Sequence, residues 1–197
     1  MAIPPPEAEL AARCAAVEWL LLDVDGVLTD GAIILNDQGV ESKHFYVRDG
    51  SALALWHKAG KKAAILSGRS APVVAIRAQE LGIAPVIQGR HAKAGAFREF
   101  LESCHLEPSQ VCYVGDDFLD LPVLRAVGVA ACPADALPEV RKSVHFVAPS
   151  TGGRGAVRDV IEFLLRGQGI WDELIAPFER PATAGAVSSE ADVWPQQ

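Results

Sequence analysis

From Trp19 onward, short apolar runs alternate with longer stretches in which apolar positions recur every three or four residues. The runs Trp19–Leu22, Ala63–Leu66, Pro85–Ile87, Val111–Val114 and Gly128–Ala131 have strand length and no polar alternation, the pattern of parallel strands buried on both faces. Ser51–Ala59, Ser70–Leu81, Ala94–Cys104 and Phe118–Val127 have helical spacing, and Gly60, Gly82 and Gly128 follow three of them as stop signals. This order predicts an α/β fold: a Rossmann-like parallel sheet with helices on both faces. One segment breaks the rhythm. Ala32–Leu35, the turn Asn36-Asp37-Gln38-Gly39 and Val40–Val47 read as a β-hairpin, a flap inserted directly after the first strand. Around the domain expected over 18–170, residues 1–17 read as a helical extension and 171–197 as a C-terminal tail. From Pro177 onward that tail is rich in Ala, Ser, Pro and Thr and is expected to be flexible.

Composition narrows the function. The chain has 197 residues, with 18 Lys+Arg against 25 Asp+Glu and a formal charge of −7. A nucleic-acid-coating protein needs a surplus of cations, so nucleic acid is not an expected partner. No apolar run approaches the roughly 20 residues of a membrane span, and no membrane partner is expected. The acidic, proline-containing start does not fit a secretory leader, so the expected compartment is the cytoplasm. Cys14, Cys104, Cys112 and Cys132 form no C-x-x-C pair and read as buried thiols. The five histidines show no metal-ligand pairing and are given no metal role.

The chemistry collects where strands end. The first run closes in Asp23-Val24-Asp25-Gly26, the second in Ser67-Gly68-Arg69, and the fourth in Gly115-Asp116-Asp117. In an open α/β sheet such carboxyl ends share one ligand-binding edge. Asp23 and Asp25, two apart at a strand end, can both reach that crevice. Like charges so close call for a hard cation held by oxygen, and with Asp116 or Asp117 the set matches the preferences of Mg²⁺. Ser67 opens a helix and can hold an anionic oxygen beside free amides, while Lys93, at the start of the next helix, can supply a point charge. Taken singly, each of these residues would be an ordinary cap, turn or solvated lysine. It is the convergence of three strand ends that points to a site.

The ordered set Asp23-Val-Asp25-Gly-Val-Leu-Thr29-Asp30-Gly31, Ser67-Gly-Arg69, Lys93 and Gly115-Asp116-Asp117-x-x-Asp120 resembles the four motifs of haloacid dehalogenase-superfamily phosphatases. Within that superfamily, the flap in place of a cap domain, Val47-Arg48-Asp49-Gly50, Gln88-Gly89 and Gly152-Gly153-Arg154-Gly155-Ala156-Val157-Arg158 resemble the 3-deoxy-D-manno-octulosonate 8-phosphate phosphatases. The resemblance spans about Trp19 to Gly169. It implies that Asp23 is the nucleophile, Asp25 the acid/base, and Ser67 and Lys93 the phosphoryl holders. It also implies that Mg²⁺ is bound by Asp23, Asp116 and the backbone carbonyl of Asp25, with Asp117 and Asp120 orienting that shell. The implied sugar acid carries a carboxylate, for which Arg48, Arg69 and Arg77 are candidates, with Arg154 on a segment that approaches a neighbouring subunit of a tetramer. Two alternatives stay open: a phosphatase of a nine-carbon sugar acid phosphate or its cytidylyltransferase-associated relative, and a receiver domain that is itself phosphorylated. The motif order, with the Asp-x-Asp pair first and the adjacent acidic pair late, argues against the receiver.

Overall fold

In the computed structural model, residue 3 and residues 6–179 are described. The helix α1 (Ala8–Ala16) leads into β1 (Trp19–Leu22), and the flap pairs β2 (Ile34–Leu35) with β3 (Glu41–Ser42) before α2 (Val47–Lys58). The chain then runs β4 (Lys62–Leu66), α3 (Pro72–Glu80), β5 (Val86–Ile87), α4 (Lys93–Cys104), β6 (Val111–Val114), α5 (Leu121–Leu124), β7 (Val129–Cys132), α6 (Pro138–Arg141), β8 (Phe146–Val147), α7 (Ala156–Gly167) and α8 (Trp171–Glu179). Six parallel strands form one sheet in the order β5-β4-β1-β6-β7-β8. The chain builds outward from β1 first on one side and then on the other, so the order reverses at β1 and opens a crevice at its carboxyl end.

The absence of polar alternation in the strands has a direct cause. Leu20 and Leu22 point into a core shared with α1, α2, α3 and α7, whereas Trp19 and Leu21 point into a second core with α4, α5 and α6. Every residue of β1, β6 and β7 is buried, so both pleat faces must be apolar.

Several boundaries differ from expectation. The helix expected from Ser51 starts at Val47, and the second flap strand stops at Ser42. Its first turn carries Asp49, a buried side chain whose Oδ1 accepts a bond of 2.8 Å from the Arg158 amide in the first turn of α7. That carboxylate meets unbonded N–H groups and the positive end of the α7 dipole, and so joins two helices that pack closely. Burial pushes the Asp49 carboxyl up to about 6 against these amide bonds. The single helix expected over Phe118–Val127 is instead a tight turn, Phe118–Asp120, followed by the four-residue α5. Asp120 turns its side chain fully inward there. Residues 171–179, expected to begin the tail, are helical, because Trp171 buries its ring under the guanidinium groups of Arg158 and Arg166. Trp194 and the remainder of the expected tail lie outside the described residues. Cys14, Cys112 and Cys132 are buried free thiols, as expected, and Cys104 is half-buried. No helix among the described residues is long and apolar enough to cross a membrane.

Candidate active site

Asp23 emerges from the buried end of β1 and keeps its backbone in the sheet, its amide donating to the Val114 carbonyl at 3.0 Å. Ser67 follows β4, Lys93 opens α4, and Asp116 and Asp117 follow β6. These residues line one cleft of about 280 Å³ together with Asp25, Arg69 and Asp120. The expected convergence of three strand ends is therefore present.

Two close backbone approaches hold the cleft in shape. Gly26 has φ +84°, and a Cβ built on it would lie 2.1 Å from Asp116 Oδ2, so the turn after Asp25 and the turn after β6 are pressed together. A Cβ on Gly152 would lie 1.9 Å from the Gly26 carbonyl oxygen, and the Gly153 amide donates to the Val27 carbonyl at 2.9 Å. Within one chain, the glycine-rich segment before α7 is thus a clamp behind the Asp23–Thr29 turn.

The electrostatics are unusual for so small a space. Asp23 is only 7% exposed. Burial pushes its carboxyl up to about 6; Lys93, whose Nζ lies 2.8 Å from Asp23 Oδ2, pulls the other way, and Asp120 adds to the rise. Lys93 is likewise buried. Burial alone would lower its pKa, but Asp23 and Asp120 outweigh it, and the ammonium is held above its ordinary range. Asp120 accepts four bonds. Its Oδ1 receives Lys93 Nζ at 2.5 Å and the Tyr113 hydroxyl at 2.6 Å, and its Oδ2 receives the amides of Asp116 and Asp117 at 2.9 and 3.1 Å. Those four donors occupy the acceptor capacity of both oxygens and tie the Asp120 carboxylate to the loop that carries Asp116.

Asp116 is the converse. Its Oδ1 is buried with no hydrogen-bond partner among the described residues. Burial first, then Asp23, Asp120 and Asp117, push its carboxyl up to about 8. One oxygen each of Asp23, Asp116 and Asp120 fall within 4.8 Å of one another. A buried orphaned carboxylate oxygen facing a second buried carboxylate, in an all-oxygen donor set, fits a small hard divalent cation. Asp116 offers the orphaned oxygen for it, beside the Asp23 carboxylate.

Asp25 lies nearer the mouth and is held by two cations. Lys43 Nζ, carried by the flap, bonds its Oδ1, and Arg69 Nε lies 3.4 Å from its Oδ2. Glu41, on β3, sits 2.8 Å from Lys43 Nζ and accepts from Arg69 at 3.0 Å. Lys43, with Arg69 adding, outweighs burial and holds the Glu41 carboxyl below its ordinary range.

The other candidate arginines lie apart from the cleft. Arg77 pairs with Glu80 at 3.0 Å, under the first turn of α2 near Gly50. Arg48 and Arg154 line a second cleft of about 460 Å³ with Tyr46, Arg158 and Trp171. Arg154 is 62% exposed, with Asp30 at 3.9 Å as its charged neighbour. Within a single chain, then, only Arg69 of the four candidate arginines reaches the acidic site. Helix spacing cannot reveal this, because it depends on the direction in which α2, α3 and the clamp carry their side chains.

Sequence reasoning missed Lys43, Glu41, Tyr113 and His91. The first two sit in a polar stretch typical of a solvated hairpin. Tyr113 occupies an ordinary core position of β6, and the one available signal was a hydroxyl in a strand directly before an acidic turn. His91 lines the cleft beside Gly68.

Comparison with known proteins gives the same family that the motifs resemble. Residues 40–128 match the haloacid dehalogenase-like hydrolase family. The 3-deoxy-D-manno-octulosonate 8-phosphate phosphatase KdsC of Escherichia coli K12 is 41% identical over 169 residues, covering 86% of this chain and 90% of that protein. KdsC of Yersinia pestis is 40% identical over 164 residues, covering 83% and 88%. The crystal structure of the Moraxella catarrhalis phosphatase of the same name, in complex with magnesium, phosphate and a KDO molecule, superposes with a TM-score of 0.85 at 37% identity, covering 88% of this chain and 100% of that one. The cobalt-bound Haemophilus influenzae phosphatase gives a TM-score of 0.78 at 34% identity, covering 81% and 94%.

Proposed function

The chain belongs to the haloacid dehalogenase-like hydrolases and, within them, to the 3-deoxy-D-manno-octulosonate 8-phosphate phosphatases, and from that premise we propose that it releases phosphate from 3-deoxy-D-manno-octulosonate 8-phosphate. The observation that carries this reading is the pairing of Asp23, held by Lys93 at 2.8 Å, with the orphaned Asp116 oxygen in one cleft.

In this reading an Asp23 carboxylate oxygen attacks phosphorus. The bond from phosphorus to the sugar oxygen breaks, leaving an aspartyl-phosphate, while Asp25 gives its proton to the departing oxygen. Asp25, now a carboxylate, then takes a proton from water, and the water oxygen attacks phosphorus. The acyl-phosphate bond breaks, freeing Asp23 and inorganic phosphate. Lys93 and the Ser67 hydroxyl hold phosphoryl oxygens throughout, and Lys93 also keeps Asp23 in line. The carboxylates of Asp23 and Asp116 and the backbone carbonyl of Asp25 would hold Mg²⁺, which when bound offsets charge on the transferring phosphoryl group. Asp117 and Asp120 orient the loop that carries Asp116. Arg69, 45% exposed at the mouth, is placed to turn toward the substrate carboxylate.

We further propose that residues 18–170 are the phosphatase unit and that it works in the cytoplasm as a homotetramer. Two features support the assembly. Ile33, Ile34, Leu35 and Val40 expose apolar side chains along the flap, and Arg48, Arg77 and Arg154 lie outside their own chain's acidic cleft, where they could serve a neighbour's substrate.

Phosphate release across a panel of sugar acid phosphates, with Mg²⁺ and with EDTA, tests the reading. Preference for the eight-carbon acid, dependence on Mg²⁺ and loss of turnover in Asp23→Asn are expected. Preference for a nine-carbon acid would reassign the substrate, equal rates on unrelated phosphomonoesters would remove the specificity, and full activity in EDTA would overturn the metal assignment.

A further inference from the structure

Beside Asp25 and Arg69 the flap brings two charged groups, Lys43 and Glu41, that none of the site motifs contains. Asp25, Lys43, Glu41 and Arg69 form a closed ring in which each carboxylate faces both cations. The two cations are not equivalent. The Lys43 side chain is 1% exposed, whereas Arg69 is at the surface. The Lys43 ammonium is enclosed between the carboxylates of Asp25 and Glu41.

We propose that Lys43 is a positioning residue for catalysis, which fixes the Asp25 carboxyl and supports the charge that appears on it as the leaving oxygen is protonated. This rests on the assignment of Asp25 as the acid. When Asp25 passes its proton to the sugar oxygen it becomes a carboxylate, and the Lys43 ammonium already faces that oxygen. No solvent has to reorganise to meet the new charge. Arg69 cannot do this alone, because turning toward the substrate carboxylate takes it away from Asp25. Glu41 complements this by holding both cations, so Lys43 stays on the flap side when Arg69 leaves. The flap thus delivers the cation to the acid, since Lys43 directly follows β3.

Leaving-group dependence tests the idea, because an alkoxide must be protonated as it leaves and a nitrophenolate need not be. We expect Lys43→Met to lower kcat/KM for the sugar acid phosphate by on the order of 10–100-fold, while p-nitrophenyl phosphate loses less than about 5-fold. Lys43→Arg should restore most of the difference. Should Lys43→Met fail to fold, Lys43→Gln removes the charge while keeping a donor and should show the same split. Asp25→Asn, measured in parallel, should show a larger split of the same kind. Equal losses on both substrates in the Lys43 variants, with the split intact in Asp25→Asn, would overturn the role of Lys43 and leave Asp25 as the acid. No split in Asp25→Asn would overturn both. Hydrogen exchange of the flap amides separates the remaining case: faster exchange without a leaving-group split means that Lys43 only fastens the flap, and the proposal fails.

Discussion

The Lys93 ammonium lies 2.8 Å from Asp23 Oδ2, with the two side chains only 2% and 10% exposed. Asp120 approaches the same ammonium from the other side at 2.5 Å, so a single buried cation serves two buried anions. Removing one partner of such a set leaves an uncompensated charge out of water. Lys93→Met should therefore cost about 3–5 kcal/mol of stability and lower kcat/KM by at least about 10²-fold. Urea unfolding and steady-state kinetics check the two halves separately.

Proton linkage at the same site has a definite sign. Asp23 is raised from its ordinary 3.8 to about 6 and Asp116 to about 8, each chiefly by burial. A carboxyl raised in the folded state favours folding while protonated and loses that advantage as pH climbs through its folded value. Metal-free protein should accordingly lose stability from about pH 4 to about pH 8. A divalent cation competes with those protons, so the rise in melting temperature on adding Mg²⁺ should be larger at pH 8 than at pH 5. Thermal unfolding with and without Mg²⁺ across that range is the measurement, and a Mg²⁺ effect that shrinks as pH rises would contradict the assignment of Asp116.

Asp120→Asn keeps the shape of the side chain but must turn a donor either toward Lys93 and Tyr113 or toward two backbone amides. Each charged bond lost there is worth about 1.5–3 kcal/mol. Because Asp120 sets the loop bearing Asp116, the apparent Mg²⁺ affinity should fall by roughly 10–100-fold. Mg²⁺ titration of activity and of thermal stability would reveal it.

Gly152→Ala places a methyl group 1.9 Å from the Gly26 carbonyl oxygen, with backbone rather than a flexible side chain in the way. The Asp23–Thr29 turn must move, and a shift of about 1 Å in a catalytic group can cost on the order of 10²-fold in rate. The expected result is a folded protein by circular dichroism with kcat reduced by about that factor.

Leu35→Asp on the exposed face of the flap should change the stability of a single chain by no more than about 0.5 kcal/mol. If the flaps join subunits, the same change should shift the protein to smaller species in sedimentation and raise KM for the sugar acid phosphate. A wild-type protein already monomeric at assay concentration would refute the tetramer.

How much of this was legible beforehand follows from burial. Runs such as Leu20–Leu22 and Val111–Val114 announce themselves because both faces of the sheet are covered, and the acidic turns after them fall where a parallel sheet puts its ligands. The orienting part given to Asp117 and Asp120 came with the motif that follows β6 rather than with any period. By contrast, β8 and α6 are two and four residues long, too short to show a period. Pro177 and the small residues after it hid α8, whose first turn is held by the packing of Trp171. Lys43 had no local signal, since only the folding of the flap onto Asp25 removes it from water. The arginines were recognisable as a type of group but not as places, because the direction of Arg77 depends on how α3 packs beneath α2.

The contact between Gly152 and Gly26 also orders events in time. The Asp23 turn is synthesised early, at the end of a central strand, yet its neighbours in the sheet begin at Lys62 and Val111 and its backing arrives only with Gly152 and Gly153. Every residue of the Asp23–Thr29 turn is therefore present long before its backing is. A nascent chain that has not yet reached Gly152 has Asp23 without this backing, so the proposed chemistry at Asp23 is expected only once nearly the whole described chain has been made and packed.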